Sequence, residues 1–548
     1  MDGHFLSDNG SSSKPKPPFS ASGTASADAR PLEAAESVAK AYQPKEPFVV
    51  DRNDTIFAIF AFILGFFYAR WVMFSWQGWG VTVFTIGYCS AITIYLLKKG
   101  VNIPREGWLW LSTVVLIGIS YSLYENNGLE PWRSLFLLCA AVYFVLSATG
   151  QLILGNTDNW ILLDGINGMF VIPFKNFGSQ YKSLSLAKHK RSGTGRHILS
   201  IALGLLLALL VAAMILPLLM RADSGGFSRI ANGVYEYFRW VQNQFMDFIF
   251  NGILAIPIAA YLFGLVAGCA HNRGCKAFKR ESIQYTIESV RVLASVTVYT
   301  LLALICLLYV VFIGSQLPYF FSAFAGQRPE GWQIYSEYAR NGFFELCQIA
   351  AINLSLLLAA NLLCKKPQGK NGAIKILNAL LSLLTLLLIA TAFSKMALYI
   401  GAYGLSIRRL LPCLFMVFLT VVFVGIIVLQ KRKFSIVRLA VITGTLMICV
   451  LCLLNPDGLV ARYNADRYLS GTLDNFDVQI LYQSGLAGVD PALKVYAQTE
   501  DEGLKAELKA YIYAQQQESA KSLEKARDSL QNMNVRQKTA EFIGDMTP

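Results

Sequence analysis

The feature that most constrains this chain is a series of apolar runs, each about 20 residues long, that contain no charged side chain. Two of the clearest are Ile198 to Met220 and Val292 to Phe312. A helix of about 20 apolar residues crosses a hydrocarbon core about 30 Å thick. Only 15% of the residues are charged, against about 25% in soluble domains. The sequence therefore predicts an all-α fold, a polytopic transmembrane helical bundle.

Hydropathy predicts about eleven spans. We place them near residues 56–73, 79–97, 108–123, 133–154, 198–220, 247–270, 292–313, 344–363, 376–393, 410–429 and 439–454. With the N-terminus in the cytoplasm, the inner loops carry 22 Lys and Arg residues and the outer loops carry 10. Because cytoplasmic loops are enriched in Lys and Arg, this asymmetry predicts a cytoplasmic N-terminus. The odd number of spans then predicts an extracytoplasmic C-terminus.

Composition divides the chain into three parts. Residues 1–52 are rich in Ser, Pro, Ala and Gly, which predicts a disordered cytoplasmic tail without a cleavable signal peptide. Residues 53–454 form the bundle and include a basic cytoplasmic loop, 156–197. Within that loop the apolar stretch Ile166 to Phe174 is too short to span a membrane, so we expect an interfacial or re-entrant segment.

The third part, residues 455–548, is polar and predicts a small extracytoplasmic helical domain. Asn455, Pro456 and Asp457 end the last span, and a helix is predicted to follow from Leu459 to Tyr468. Further helices are predicted at 478–485, 491–499, 502–517 and 520–532. An apolar stripe with helical spacing lies in the segment 502–517, and it consists of Leu504, Leu508, Tyr511 and Ile512.

The sequence lacks the common signatures of enzymes and of cofactor or metal sites. It has no phosphate-binding loop, nucleophile elbow, kinase signature or zinc-ligand spacing. We therefore predict no catalytic residues, no cofactor and no metal. The net charge of +13 is spread over short loops, which argues against nucleic-acid binding. Cys449 and Cys452 have a redox-motif spacing, but they lie in an apolar run and are read as packing residues.

Charged residues gather near the outer ends of the eighth, tenth and eleventh predicted spans. These outer ends lie at a similar depth, so we expect at least one acid to pair with one arginine within about 4 Å. The candidate outer charged cluster consists of Glu337, Arg340, Glu345, Arg408, Asp457, Arg462 and Arg467. Three roles are open: a clamp that holds the C-terminal helices, a pocket for an anionic headgroup or peptide carboxylate, and a catalytic site with Glu345 or Asp457 as base.

Three segments around these residues carry a resemblance. They read Glu337-Tyr-Ala-Arg-Asn-Gly-Phe-Phe-Glu-Leu346, Tyr399-Ile-Gly-Ala-Tyr-Gly-Leu-Ser406 and Asn455-Pro-Asp-Gly-Leu-Val-Ala-Arg-Tyr-Asn464. Together they resemble a family of bacterial polytopic membrane proteins that is defined as a domain of unknown function. The resemblance extends over roughly residues 55 to 500. It implies a multi-pass fold in a bacterial membrane and no particular activity.

These observations lead to two main functional hypotheses. The first is a non-enzymatic regulatory or accessory protein of the bacterial cytoplasmic (plasma) membrane, embedded in the lipid bilayer. Residues 455–548 would then bind a membrane or cell-wall protein partner. The alternative is a transporter or lipid translocase with an outward-facing polar site, and a membrane-embedded hydrolase or transferase is a third possibility. Nothing in the sequence fixes the oligomeric state.

Overall fold

A computed structural model describes the backbone of residues 50–74, 77–125, 128–189, 226–273, 291–324, 335–364, 372–432, 434–524 and 528–544. Within these ranges the chain is helical and contains no β-strand; an isolated bridge joins Leu293 to Cys364. The longer helices are α1 (Arg52–Phe67, extended by a π-helical turn, Tyr68–Val72), α2 (Trp79–Lys98), α3 (Arg105–Leu123), α4 (Glu130–Ala148), α8 (Gly226–Ala270), α9 (Ser295–Phe324), α10 (Tyr335–Leu363), α11 (Gly372–Tyr403), α12 (Ile407–Leu429) and α13 (Ile436–Leu453). Between α4 and α8 lie α5 (Ile161–Ile166), a π-helical turn (Asn167–Val171), α6 (Ile172–Lys175) and α7 (Ser179–His189).

Ten helices in the described ranges are long and apolar enough to cross a membrane. They are Arg52–Val72, Trp79–Lys98, Arg105–Leu123, Glu130–Ala148, Met246–Ala270, Ser295–Ser315, Glu345–Leu363, Gly372–Tyr403, Ile407–Leu429 and Ile436–Leu453. Ten of the eleven predicted spans are thus confirmed as apolar helices, and the predicted span at 198–220 lies outside the described residues. The chain is a multi-pass helical membrane protein.

Small residues let α1 and α8 approach closely. Ala58, Ala61, Ala255 and Ala259 are completely buried, and a Cβ atom on Gly65 would lie 2.8 Å from the carbonyl oxygen of Ala255. Such small side chains are typical of helix interfaces in membranes. With α2, α3 and α4, this pair forms the first half of the bundle.

Helices α9 to α13 form the second half around a shared apolar core, and α13 also packs against α3. A buried asparagine links three of these helices. The Tyr309 hydroxyl on α9 donates to Asn353 Oδ1 on α10 over 2.8 Å, and Asn353 Nδ2 donates to Thr385 Oγ1 on α11 over 2.8 Å. Asn353 is completely buried, whereas Glu345 and Ser355 on the same helix are exposed.

The apolar stretch 166–174, expected to be interfacial or re-entrant, is helical and packs against α4 and α8. Two glycines of α8 make this packing possible. A Cβ atom on Gly264 would lie 2.6 Å from the carbonyl oxygen of Pro173, and one on Gly268 would lie 2.6 Å from Asn176 Nδ2. The segment therefore packs closely against α8.

The C-terminal helices, residues 456–544, have an apolar core of their own. They are α14 (Pro456–Leu469), α15 (Val478–Ser484) with a 3-10 turn (Gly485–Gly488), α16 (Val489–Gln498), α17 (Glu502–Glu524) and α18 (Leu530–Gly544). The predicted stripe is confirmed, because Leu508, Tyr511 and Ile512 are completely buried and Leu504 packs against them.

One predicted boundary among these helices is wrong. The predicted helix at 520–532 does not exist as a unit, because α17 continues to Glu524 and α18 begins at Leu530. Residues 513–524 contain no Gly or Pro and many strong helix formers, so nothing ends α17 earlier. Ser529 caps α18, because its hydroxyl accepts a hydrogen bond from the Asn532 N–H over 3.2 Å.

Candidate functional site

The C-terminal helices meet the bundle at the short loop between α11 and α12. Gly404 ends α11 with φ of +76°, a left-handed conformation that favours glycine. On the other side of the contact, Asn455 takes a left-handed conformation and its side chain accepts from the Gly458 N–H over 3.1 Å. Pro456 then occupies the first position of α14, as is common at helix starts. The end of α13 thus turns directly into α14.

Asn464 on α14 makes the central contact of this docking. Its Oδ1 accepts from the Leu405 N–H and its Nδ2 donates to the Leu405 carbonyl, both over 2.7 Å. The side chain is buried, as is Leu405, so both main-chain groups of Leu405 are satisfied away from water. Leu405, Val460 and Ile480 form a small apolar cluster around the same loop.

Arg467 makes a second contact, one helical turn further along α14. One of its guanidinium nitrogens, Nη1, donates to the carbonyls of Ile400 and Gly401 over 3.2 and 3.1 Å. These carbonyls lie in the last turn of α11, where a helix carries partial negative charge. Arg467 therefore joins α14 to the end of a membrane-spanning helix without an acidic partner.

Arg409, in the first turn of α12, holds the conformation of the same loop. Its guanidinium carbon lies 4.2 Å from the centroid of the Tyr399 ring, a cation–π distance. The guanidinium also donates to the Tyr403 carbonyl over 2.8 Å and to the Gly404 carbonyl. Arg408 belongs to the candidate outer charged cluster predicted from the sequence. Its neighbour Arg409, which anchors the loop, does not.

The structure brings some members of the candidate outer charged cluster to this junction. Asp457 is buried in the first turn of α14, while Arg408 and Arg462 are exposed. Among the described side chains, no ion pair joins Asp457 or Glu345 to Arg408, Arg462 or Arg467. The side chains of Glu337 and Arg340 lie outside the described part, so an ion pair through them stays a prediction.

A second contact, which the sequence analysis missed, docks α18 on the other half of the bundle. Asn532 Nδ2 donates to Glu125 Oε1 over 2.7 Å, and Gln531 Oε1 accepts from the Glu125 N–H over 3.0 Å. The Trp79 N–H also donates to the Asp528 carbonyl over 3.2 Å. Burial raises the pKa of Glu125, although the bond from Asn532 opposes the shift. We call the end of the bundle that carries both contacts the docking end.

Another polar group that the sequence analysis missed lies at the opposite end. Asp54 on α1 is completely buried. Its carboxylate accepts from the Tyr95 hydroxyl over 2.7 Å and pairs with Lys99 at 2.9 Å and with His271 at 3.2 Å. We call this end, defined by Asp54, Lys99 and His271, the Asp54 end. The group ties α1, α2 and the end of α8 together.

The described residues contain no group of three or more His, Cys, Asp or Glu side chains placed to hold a metal ion. The polar groups at both ends of the bundle mainly join helices. At the docking end, most of these contacts are hydrogen bonds to main-chain groups. At the Asp54 end, they are ion pairs and hydrogen bonds between side chains.

A family model described as domain of unknown function (DUF4153) matches residues 111–494. The chain belongs to this family. The DUF4153 match runs from within α3 to within α16, so it includes the α11–α12 loop, Asn464 and Arg467, whereas α1, α2, α17 and α18 lie outside it. The resemblance to an uncharacterised family is thereby confirmed. No curated protein and no solved structure shows a significant match to the chain.

Proposed function

We propose that this protein is a non-enzymatic regulatory or accessory protein whose C-terminal helices bind another membrane or cell-wall protein. One observation supports this most directly: the C-terminal helices are docked on both halves of the bundle, through Asn464 and Asn532, and still expose large side chains. Tyr482, Tyr513 and Met533 are 42%, 36% and 51% exposed. Tyrosine and methionine are enriched in protein interfaces, and a fixed surface loses little entropy on binding.

We further propose that the protein lies in a bacterial plasma membrane, with the Asp54 end in the cytoplasm and the docking end outside. The charge asymmetry of the loops supports this orientation. A cysteine in place of the exposed Ala520 should then react with an impermeant thiol reagent in intact cells. A cysteine in place of the exposed Lys182 should react only after lysis, and the reverse pattern would refute the orientation.

The partner proposal can be tested with a photo-reactive amino acid placed in the full-length protein in cells. We expect a photo-reactive residue at Tyr482 and one at Met533 to give a discrete adduct with the same partner protein. Leu446 on α13 is the matched control, because it is 62% exposed on a membrane-spanning helix and should meet chiefly lipid and random neighbours.

If all three positions capture the same mixture of abundant membrane proteins, the C-terminal helices are not a binding module. The same experiment on the Asn464→Ala variant shows whether docking matters for recognition. We expect weaker adducts there at normal protein abundance. The transporter alternative gains no specific support from the described residues.

A further inference from the structure

A cavity of about 610 Å³ opens beside the α11–α12 loop at the docking end. Its size falls within the range of about 300 to 1,000 Å³ that is typical of small-molecule sites. The walls come from α10, the end of α11, the start of α12 and α15, so both the bundle and the C-terminal helices contribute. Asn464 and Arg467, which make the polar contacts between α14 and the α11–α12 region, do not line the cavity.

Two adjacent arginines give one wall of the cavity a concentrated positive charge. Arg409 is held by Tyr399 and by main-chain carbonyls. Arg408 is exposed and makes none of the hydrogen bonds or ion pairs that the structure shows among the described side chains. Both lie in the first turn of α12, which contains no acidic residue. Because the helix dipole already makes this end positive, two cations here are unfavourable without an anion.

One acidic residue lies among the residues that line the cavity, and it already accepts a hydrogen bond from the main chain. Asp477 lines the wall formed by α15, and its carboxylate caps that helix by accepting from the Gln479 N–H over 2.9 Å. Its carboxylate is not within ion-pair distance of Arg408. Among the residues that line the cavity, two arginines therefore face one aspartate, and the net positive charge that remains would attract an anion from outside the chain.

The remaining walls indicate which anion fits. Met396, Leu411 and Pro412 line the cavity, and all three belong to helices apolar enough to span a membrane. The cavity thus combines an apolar surface, at the end of two spans, with guanidinium groups that match phosphate geometry. An amphiphile with a phosphate group would use both.

We propose that this cavity binds the phosphate-ester headgroup of a membrane phospholipid, with Arg408 as the main contact of the phosphate. The lipid would enter at the end of α11 and α12. Its glycerol and upper acyl carbons would cover Leu411 and Pro412, which are half-buried. Neither Tyr482 nor Met533 lines the cavity, so the lipid and the proposed protein partner would contact different side chains at these positions.

The test uses the full-length protein in detergent, stripped of lipid and titrated calorimetrically with dihexanoyl phosphatidylglycerol, a soluble phospholipid. Replacing Arg408 by Ala should weaken binding tenfold or more, because a bidentate charged contact is lost. Arg408→Lys should recover part of the affinity. Arg462→Ala is the matched control, since Arg462 is exposed on α14 but does not line the cavity, and it should change affinity less than twofold.

Two further ligands separate the possible sources of binding. Inorganic phosphate should bind at least tenfold more weakly than the lipid, and equal affinity would overturn the lipid assignment. The affinity for dihexanoyl glycerol, which lacks the phosphate, should be the same in the wild type and in Arg408→Ala. Equal binding of phosphatidylglycerol to the wild type and to Arg408→Ala would overturn the proposal, provided that the two proteins unfold at the same temperature.

Discussion

The most informative perturbation is Asn464→Ala, because one side chain satisfies two buried main-chain groups. The substitution leaves the N–H and the carbonyl of Leu405 without their 2.7 Å partners. Each buried unsatisfied group costs about 1 to 3 kcal/mol, so the docked state should lose at least about 2 kcal/mol. Such a loss shifts the equilibrium between docked and undocked C-terminal helices about 30-fold.

Hydrogen exchange followed by mass spectrometry measures this shift on the purified full-length protein. Peptides that contain Leu405 and the first turns of α14 should exchange about 30-fold faster in Asn464→Ala. Arg462→Ala is the control, because Arg462 lies on the same helix but is exposed, and it should leave exchange unchanged. Equal exchange in the two variants would refute the conclusion that Asn464 holds the C-terminal helices on the bundle.

Three other substitutions follow from the same structure. Gly404→Ala should destabilise the protein more than Gly471→Ala does. Both glycines have positive φ, but of the two only Gly404 would bring a Cβ atom into collision with Asn464. Equal unfolding temperatures of the two variants would contradict this. Burial raises the pKa of Asp164 to about 6 from 3.8. Between these pH values only the unfolded chain loses this proton, so native stability should fall as the pH rises from 3.8 to about 6. Asp164→Asn should flatten that dependence in thermal unfolding. Asn353→Leu should cost about 0.6 to 2 kcal/mol in unfolding assays in detergent, by breaking the link between α9, α10 and α11, and an unchanged stability would show that this link is not needed.

Hydropathy was sufficient to predict most of the bundle. A run such as Val292 to Phe312 can satisfy its main-chain groups in lipid only as a helix, so span positions follow from local sequence. The start of α14 was also predictable, because Asn455, Pro456 and Asp457 are local helix-start signals. The end of α17 was not, because the sequence from residue 513 to 524 contains no helix breaker.

The site was only partly predictable. From the sequence, Arg467 was grouped with acidic residues and other arginines near the outer ends of three predicted spans. In the structure its guanidinium donates to main-chain carbonyls at the end of α11. Every residue has a main-chain carbonyl, so the residue types do not show which carbonyl will accept a hydrogen bond from Arg467. Asn464 was visible as part of the motif that carried the resemblance, yet its role depends on the conformation of a loop 59 residues away in sequence.

The buried group around Asp54 was missed for a different reason. Asp54 precedes the first predicted span, where a carboxylate is typical of a solvated helix start. Its carboxylate does accept from the N–H of Asp51, the N-cap residue of α1. Its partners Lys99 and His271 come from the ends of α2 and α8, 45 and 217 residues away. Only the packing of α1 against α8 brings them together.

The central claim is that the C-terminal helices bind a partner while docked on the bundle. Cysteines in place of Glu125 and Asn532, whose side chains are 2.7 Å apart, allow this docked arrangement to be locked in the membrane with a short thiol cross-linker. With a photo-reactive residue at Tyr482, we predict the same discrete adduct before and after locking. Failure of the two cysteines to be joined, or loss of the adduct once they are, would contradict the claim.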